Sequence, residues 1–346
     1  MRLHARFDRW TALLLTTLGC APLIDCGGRE TTAEDPGAGG SGGGGGGDAP
    51  DGGGGAGGSG TGGRGGGIIT GGTGGSLNPQ PGRPFLIDGM ARQASACRND
   101  EWRDPNLALR TEHLDAGARL RLSEAWTQAA LLEHGSIAAF ARFMLQLLAL
   151  GAPASLVEGA NAAIAEETTH ARLAFAVASA YAGQTLGPGP LCIERALEAT
   201  SLRDVVVAAI REGCLGETVS AIQAAEALSY VTDPALRQVL MTIADDETRH
   251  AQLAWRFVQW ALEQGDDEIR RAAREEFTRA ASEIIASSPR PLDARELGLL
   301  AGGAMPERLG EHVRAECVRR VILPCAEALF ARHSGTGGRR TPEVRA

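Results

Sequence analysis

Four long stretches between residues 123 and 264 place their apolar residues at the spacing of one helix face. In the first, Trp126, Ala130, Ile137, Phe140, Met144, Leu147 and Leu148 fall on one side, and Gly151 and Pro153 end it. Ser155-x-x-Glu158 reads as a capping box opening a second helix, which runs to about Tyr181 before Gly183. Ser201-x-x-Asp204 opens a third, running to about Val231, and Asp233-Pro234 opens a fourth that ends before Gly265. Residues 183–199 contain Gly and Pro and are long enough to cross the length of the others. Helix, turn, helix, long crossover, helix, turn, helix predicts an all-α chain built on a four-helix bundle with one long connection. Two additional helical stretches are expected outside the bundle. One carries Ile269, Ala273, Phe277, Ala280 and Ile284; the other follows Pro306 with Leu309, Val313, Val321 and Leu329.

Composition agrees. Aromatic residues make up only 4% of the chain while 43% is hydrophobic, so Ala and Leu carry most of the apolar surface, a mix that favours helices. The net charge of -8 is spread among alternating acids and bases without a basic block, and nucleic acid is not an expected partner.

Ahead of the helices the chain reads differently. Residues 1–20 carry Arg2, Arg6 and Arg9, then a short apolar run over 10–18, then Gly19 before Cys20, the order of a bacterial export signal. The run is too short to span a bilayer as a stable helix. Leu18-Gly19-Cys20 resembles a lipobox, which makes Cys20 the candidate for lipidation and the chain an exported lipoprotein, in the periplasm or at the cell surface. Residues 21–77 are dominated by glycine and are expected to form a disordered tether. Residues 78–117 form an irregular lead-in, 118–265 the bundle and 266–346 a C-terminal helical extension. No CxxC pair is present, which argues against a zinc ribbon or a rubredoxin-type centre.

The sharpest motif is internal. EETTHARLA at 166–174 and DETRHAQLA at 246–254 are nearly the same nine residues, placed at matching depth in the second and fourth helices. Residues i and i+3 share a helix face, so Glu167 with His170, and Glu247 with His250, each present an oxygen and a nitrogen to one point. A first-row transition metal accepts that mixed set. Two such units facing each other need further carboxylates from the other helices. Glu167 and Glu247 lie roughly 20 Å along the helix from the turn that starts it. Glu217 is about 21 Å and Glu133 about 25 Å from the corresponding turns, whereas Glu212 and Glu124 miss by more than a helical turn. Glu133 and Glu217 also sit on apolar faces, where an acid is paired, protonated or bound to metal.

Glu133, Glu167-x-x-His170, Glu217 and Glu247-x-x-His250 resemble the ligand set of the ferritin-like di-iron carboxylate superfamily, and within it rubrerythrin-like and bacterial ferritin-like domains. The resemblance covers roughly residues 118–265. It implies two iron ions (manganese fits the same donors), bridged by Glu167 and Glu247, with Glu133 and Glu217 as terminal carboxylates and one histidine on each ion. It further implies an oxidoreductase acting on dioxygen or peroxide, with oxidation of ferrous iron as the simplest form. Without a rubredoxin-like cysteine set, electrons would come from a separate donor or from the substrate itself. Two alternatives remain at this point: non-catalytic iron binding or storage, and a surface-tethered helical interaction module without catalytic metal.

Several neighbours have weaker claims. Glu166, Asp245 and Asp246 either orient the histidines or are solvated helix charges. His134 points away from Glu133 around the helix, Cys214 reads as a small core residue, and Trp126 and Trp255 as core packing. Tyr181 and Tyr230 lie more than ten residues from any candidate ligand, so a radical-bearing tyrosine is not indicated.

Overall fold

A computed structural model of the chain describes residues 2–20, 82–283 and 290–334. Among these residues the fold is all-α apart from four two-residue strands. The glycine-rich tract and Ile284 lie outside the described residues. No described helix is long and apolar enough to cross a membrane.

Helices α2 (Ala116–Ala149) and α3 (Ala154–Ala182) form the first hairpin, closed by Gly151 at φ 65°. The second comprises an interrupted helix and α6 (Pro234–Gln264). The interrupted helix is α4 (Leu202–Ala208), a π-helical segment (Ala209–Glu217) and α5 (Thr218–Ala227). The hairpins pack together through α3 and α6. Asp233 caps α6 as its sequence predicts, its carboxylate accepting from the Ala235 and Leu236 amides at 2.9 and 3.1 Å, and Ser201 caps α4.

Three local expectations are corrected. The capping box at Ser155 does not form: α3 already begins at Ala154, and the Pro153 carbonyl receives the first amides, which leaves Ser155 inside the helix. The third helix is not continuous, because the π-helical segment inserts extra backbone into it. It also stops at Ala227 rather than near Val231, as Leu228 to Tyr230 turn toward α6.

The expected outer helices are α7 (Asp267–Ser282) and a composite of α9 (Glu307–Cys317), a short π-helical turn (Val318–Ile322) and α10 (Leu323–Ser334). A short α8 (Ala294–Ala301), which the apolar spacing does not predict, lies between them. They lie outside the hairpins but do not form a separate unit: Phe277, Val313, Val321 and Leu329 share one apolar cluster with Phe143, Val206 and Phe257. Phe277 stacks on Trp255 with ring centroids 5.4 Å apart. Cys317 and Cys325 are buried there as free thiols. Helix α1 (Arg2–Thr17), which overlaps the apolar run of the expected export signal, lays Phe7 and Leu14 into the same cluster, and Leu18 follows from the turn after it. Arg6 Nη1 donates to Ala225 O at 2.6 Å and Thr11 Oγ1 to Arg320 O at 2.7 Å.

A second apolar cluster, with Trp126, Ala130, Phe175, Tyr181, Val239 and Ile243, fills the other end of the hairpins. The lead-in runs along α2, where Ser136 Oγ donates to Arg83 O and Arg142 to Leu86 O. It pairs β3 (Ala96–Cys97) with β4 (Gly187–Pro188) of the crossover. Gly216 permits its close approach, since a Cβ there would stand 2.4 Å from Gly82 O.

Candidate metal centre

Between the two apolar clusters the four helical strands of the hairpins turn acids and histidines inward. Glu133 comes from α2, Glu167 and His170 from α3, Glu217 from the last residue of the π-helical segment, and Glu247 and His250 from α6. All six are buried.

Their donor atoms fall into two overlapping groups. Glu133, Glu167, His170 and Glu247 form one, and Glu167, Glu217, Glu247 and His250 the other. In each group the ligating atoms all lie within 4.8 Å of one another. Glu167 and Glu247 belong to both. His170 Nδ1 is 3.6 Å from Glu167 Oε2, 3.6 Å from Glu247 Oε1 and 3.8 Å from Glu133 Oε2. His250 Nδ1 is 3.0 Å from Glu167 Oε1, without the alignment of a hydrogen bond.

The other edge of each imidazole is held from the opposite helix. His170 Nε2 lies 2.9 Å from Asp246 Oδ2, and His250 Nε2 lies 2.8 Å from Glu166 Oε2. The acid that precedes each inward glutamate therefore serves the histidine of the other unit. Arg249 closes this layer on the outside by donating to both Glu166 and Asp246. A carboxylate on one ring nitrogen fixes that N–H outward and aims the remaining lone pair at the centre, the arrangement metal-ligating histidines use.

The donor set itself tests whether a metal fits. Both oxygens of Glu167, Glu217 and Glu247, one of Glu133, and Nδ1 of both histidines are buried with no hydrogen-bond partner. Buried polar atoms are rarely left so, because each forfeits its hydration without compensation. An oxygen-rich cluster with two nitrogens is what a first-row divalent ion accepts. These residues can hold metal.

Without metal the cluster must carry protons. Burial pushes Glu217 up to about 8 and Glu133 up to about 7, with Glu167 adding repulsion to both. Burial and the adjacent Glu217 hold Glu247 well above its ordinary value. Burial opposes charge on His250, but Glu166 and Glu167 prevail and raise it to about 9. The same opposition on His170 is overcome by Asp246, Glu133 and Glu167, which raise it well above its ordinary value. Burial also opposes ionisation of Glu167, yet the two histidines hold it below the usual carboxylate range. The hydrogen bond to His250 does most to lower Glu166 to about 2.

No protein-family model, curated protein or solved structure matches the chain.

The remaining candidates separate clearly. Asp245 and Glu124 are exposed. His134 stands half-buried against Trp102, ring centroids 4.9 Å apart, outside both donor groups. Cys214 is fully buried in the core, where desolvation pushes its thiol well above its ordinary value. Trp126 and Tyr181 both donate to Gly302 O, and Trp255 Nε1 donates to Thr218 Oγ1 at 3.4 Å, all three within the packed core.

Glu212, which misses the centre by depth along the helix, is buried in a network of its own. Its carboxylate lies 2.5 Å from Arg142 Nη2 and 3.5 Å from Arg83 Nε. Arg83 also stacks over Phe140 and Phe143, and its charge favours ionised Glu217. Sequence reasoning missed both arginines, one in the lead-in and the other buried on α2. It also missed the π-helical segment, within which Gly213 and Gly216 admit the close approach of Ala254 and Gly82.

Proposed function

We propose that the chain is a di-metal carboxylate protein of ferritin-like architecture, with two iron ions in the cluster, acting as an oxidoreductase on dioxygen or peroxide. Oxidation of ferrous iron is its simplest form. The observation that carries the reading is the sharing of two buried, unpartnered carboxylates, Glu167 and Glu247, by two donor groups. Glu133 and His170 would complete one ion's set and Glu217 and His250 the other's. Two ferrous ions held together supply two electrons to one oxidant.

The chain's own residues do the rest. The apolar clusters on either side shield Glu167, His170, Glu217, Glu247 and His250 from water. Asp246 and Glu166 keep the Nε2 protons of His170 and His250 directed away from the centre. Manganese fits the same donors, and electrons come from a separate donor protein or from the substrate.

The chain is proposed to be exported and anchored through Cys20, which follows α1 and is half-buried at its end. Cleavage before Cys20 would remove α1 and uncover the groove that holds Phe7, Leu14 and Leu18. Intact mass of the protein from a membrane fraction tests this: a chain beginning at lipidated Cys20 is expected, and an unprocessed N-terminus refutes it.

Elemental analysis of the purified chain, beside a His170→Ala/His250→Ala variant, tests the metal reading. About two irons or manganese per chain, lost in the variant, are expected. Absence of metal after anaerobic reconstitution with ferrous iron overturns the proposal.

A further inference from the structure

Of the six inward residues, Glu167, His170, Glu217, Glu247 and His250 have side chains sealed to 2% exposure or less, while the Glu133 side chain is 12% exposed. Glu133 also lines the wall of a cavity of about 380 Å³. Through Glu133 the cavity borders the cluster.

Its walls come from two parts of the chain. Helices α2, α5 and α6 contribute Ala129, Leu132, Ala224 and Ile243, and the C-terminal segment across from them contributes Ala304 and Met305. Small residues at 129 and 224 leave space where larger side chains would close it, and both are only half-buried. The C-terminal wall is fixed in place: Trp126 Nε1 donates to Gly302 O at 2.9 Å, and Gln223 Nε2 to Gly310 O at 2.9 Å. Gly303 turns the chain there at φ 77°. A groove on the bundle side thereby becomes a pocket.

The volume falls in the range of small-molecule sites and far exceeds the roughly 30 Å³ of a water molecule. Most of the wall surface is apolar and suits a hydrocarbon or aromatic body. Ser220, Gln223 and Glu133 line the same cavity, together with Glu307, Glu311 and Arg314 from the C-terminal wall, and suit one polar group on that body.

We propose that this pocket binds an apolar organic molecule with a single polar end, presented to the cluster beside Glu133. The assignment rests on the reading of the cluster as a metal centre, and it names the class of molecule that centre would meet.

The test uses the full chain, loaded with manganese(II) and chelated, titrated with the neutral fluorophore N-phenyl-1-naphthylamine. Saturable binding of one probe per chain is expected, with the probe's proton signals broadened by manganese. Ala129→Phe and Ala224→Phe, on separate helices, should each weaken binding by about tenfold or more. Circular dichroism and metal content, measured on the same samples, should match the parent chain. Failure of the parent to bind the probe, or equal binding in both variants, overturns the proposal. So does slower manganese uptake in Glu307→Gln and Glu311→Gln without probe binding, which would make the cavity a route for cations. The two readings fail separately: a chain that binds the probe but no metal refutes the metal centre alone, and a chain that loads metal but ignores the probe refutes the pocket alone.

Discussion

Loading metal into the cluster should expel about four protons per chain near pH 7. Near pH 7 the metal-free chain has His250 charged, most of Glu217 and about half of Glu133 protonated, and Glu167 ionised, while burial and neighbouring charges favour a further proton on each of Glu247 and His170. Two divalent ions bring four positive charges to a site already neutralised by about as many protons, so the exchange leaves its net charge nearly unchanged. That is the reason for the number. Each ion then displaces about two protons, and its apparent affinity should rise about 100-fold per pH unit around neutrality.

Titrating chelated protein with manganese(II) in weak buffer, with a pH indicator, counts the protons directly. Calorimetry in buffers of different ionisation enthalpy checks the count. Release of fewer than about one proton per ion, or an affinity flat between pH 6 and 8, would refute the proton-filled description of the empty cluster.

The same groups set the stability of the chelated chain. His250 stays charged up to about 9 when folded against an ordinary 6.5, so it favours folding below pH 6.5 and loses that advantage as pH rises through 9. Glu217, protonated up to about 8 against an ordinary 4.5, acts in the same direction above pH 4.5, and Glu167 opposes them only below that value. Chelated protein should therefore melt progressively lower between pH 5 and 9, a trend that bound metal suppresses; thermal scans check it. Asp246→Asn and Glu166→Gln should each weaken metal binding by about 10- to 100-fold while the helices remain formed, measured by competition with a chelator. Arg142→Met leaves buried Glu212 with Arg83 alone, and should cost about 3 kcal/mol, or roughly 6–12 °C in melting temperature. Gly216→Ala places a methyl group against Gly82 O, so the lead-in should detach and amide exchange over residues 82–91 should accelerate.

The parts of this protein legible in sequence are those set by local geometry. A Glu-x-x-His pair shares a helix face wherever the helix lies, and short turns such as that closed by Gly151 force neighbouring helices to run antiparallel. Depth along the helix could therefore pick Glu133 and Glu217 over Glu124 and Glu212. Capping by Asp233 depends only on its own side chain and the next three residues. Tertiary structure decided what depends on partners distant in sequence. The cross-pairing of His170 with Asp246 and His250 with Glu166 exists because two helices meet at one level, and no spacing within either helix encodes it. Arg83 reaches the cluster's margin only because Gly216 lets the lead-in lie against the π-helical segment. The pocket beside Glu133 has one wall from the bundle and another from residues roughly 170 positions later, brought together by the apolar cluster that Ala304 and Met305 share with Trp126, Ala224 and Ile243. Periodicity can announce that a helix has an apolar face. Which surface that face will cover is settled only when the surfaces compete for burial in one folded chain.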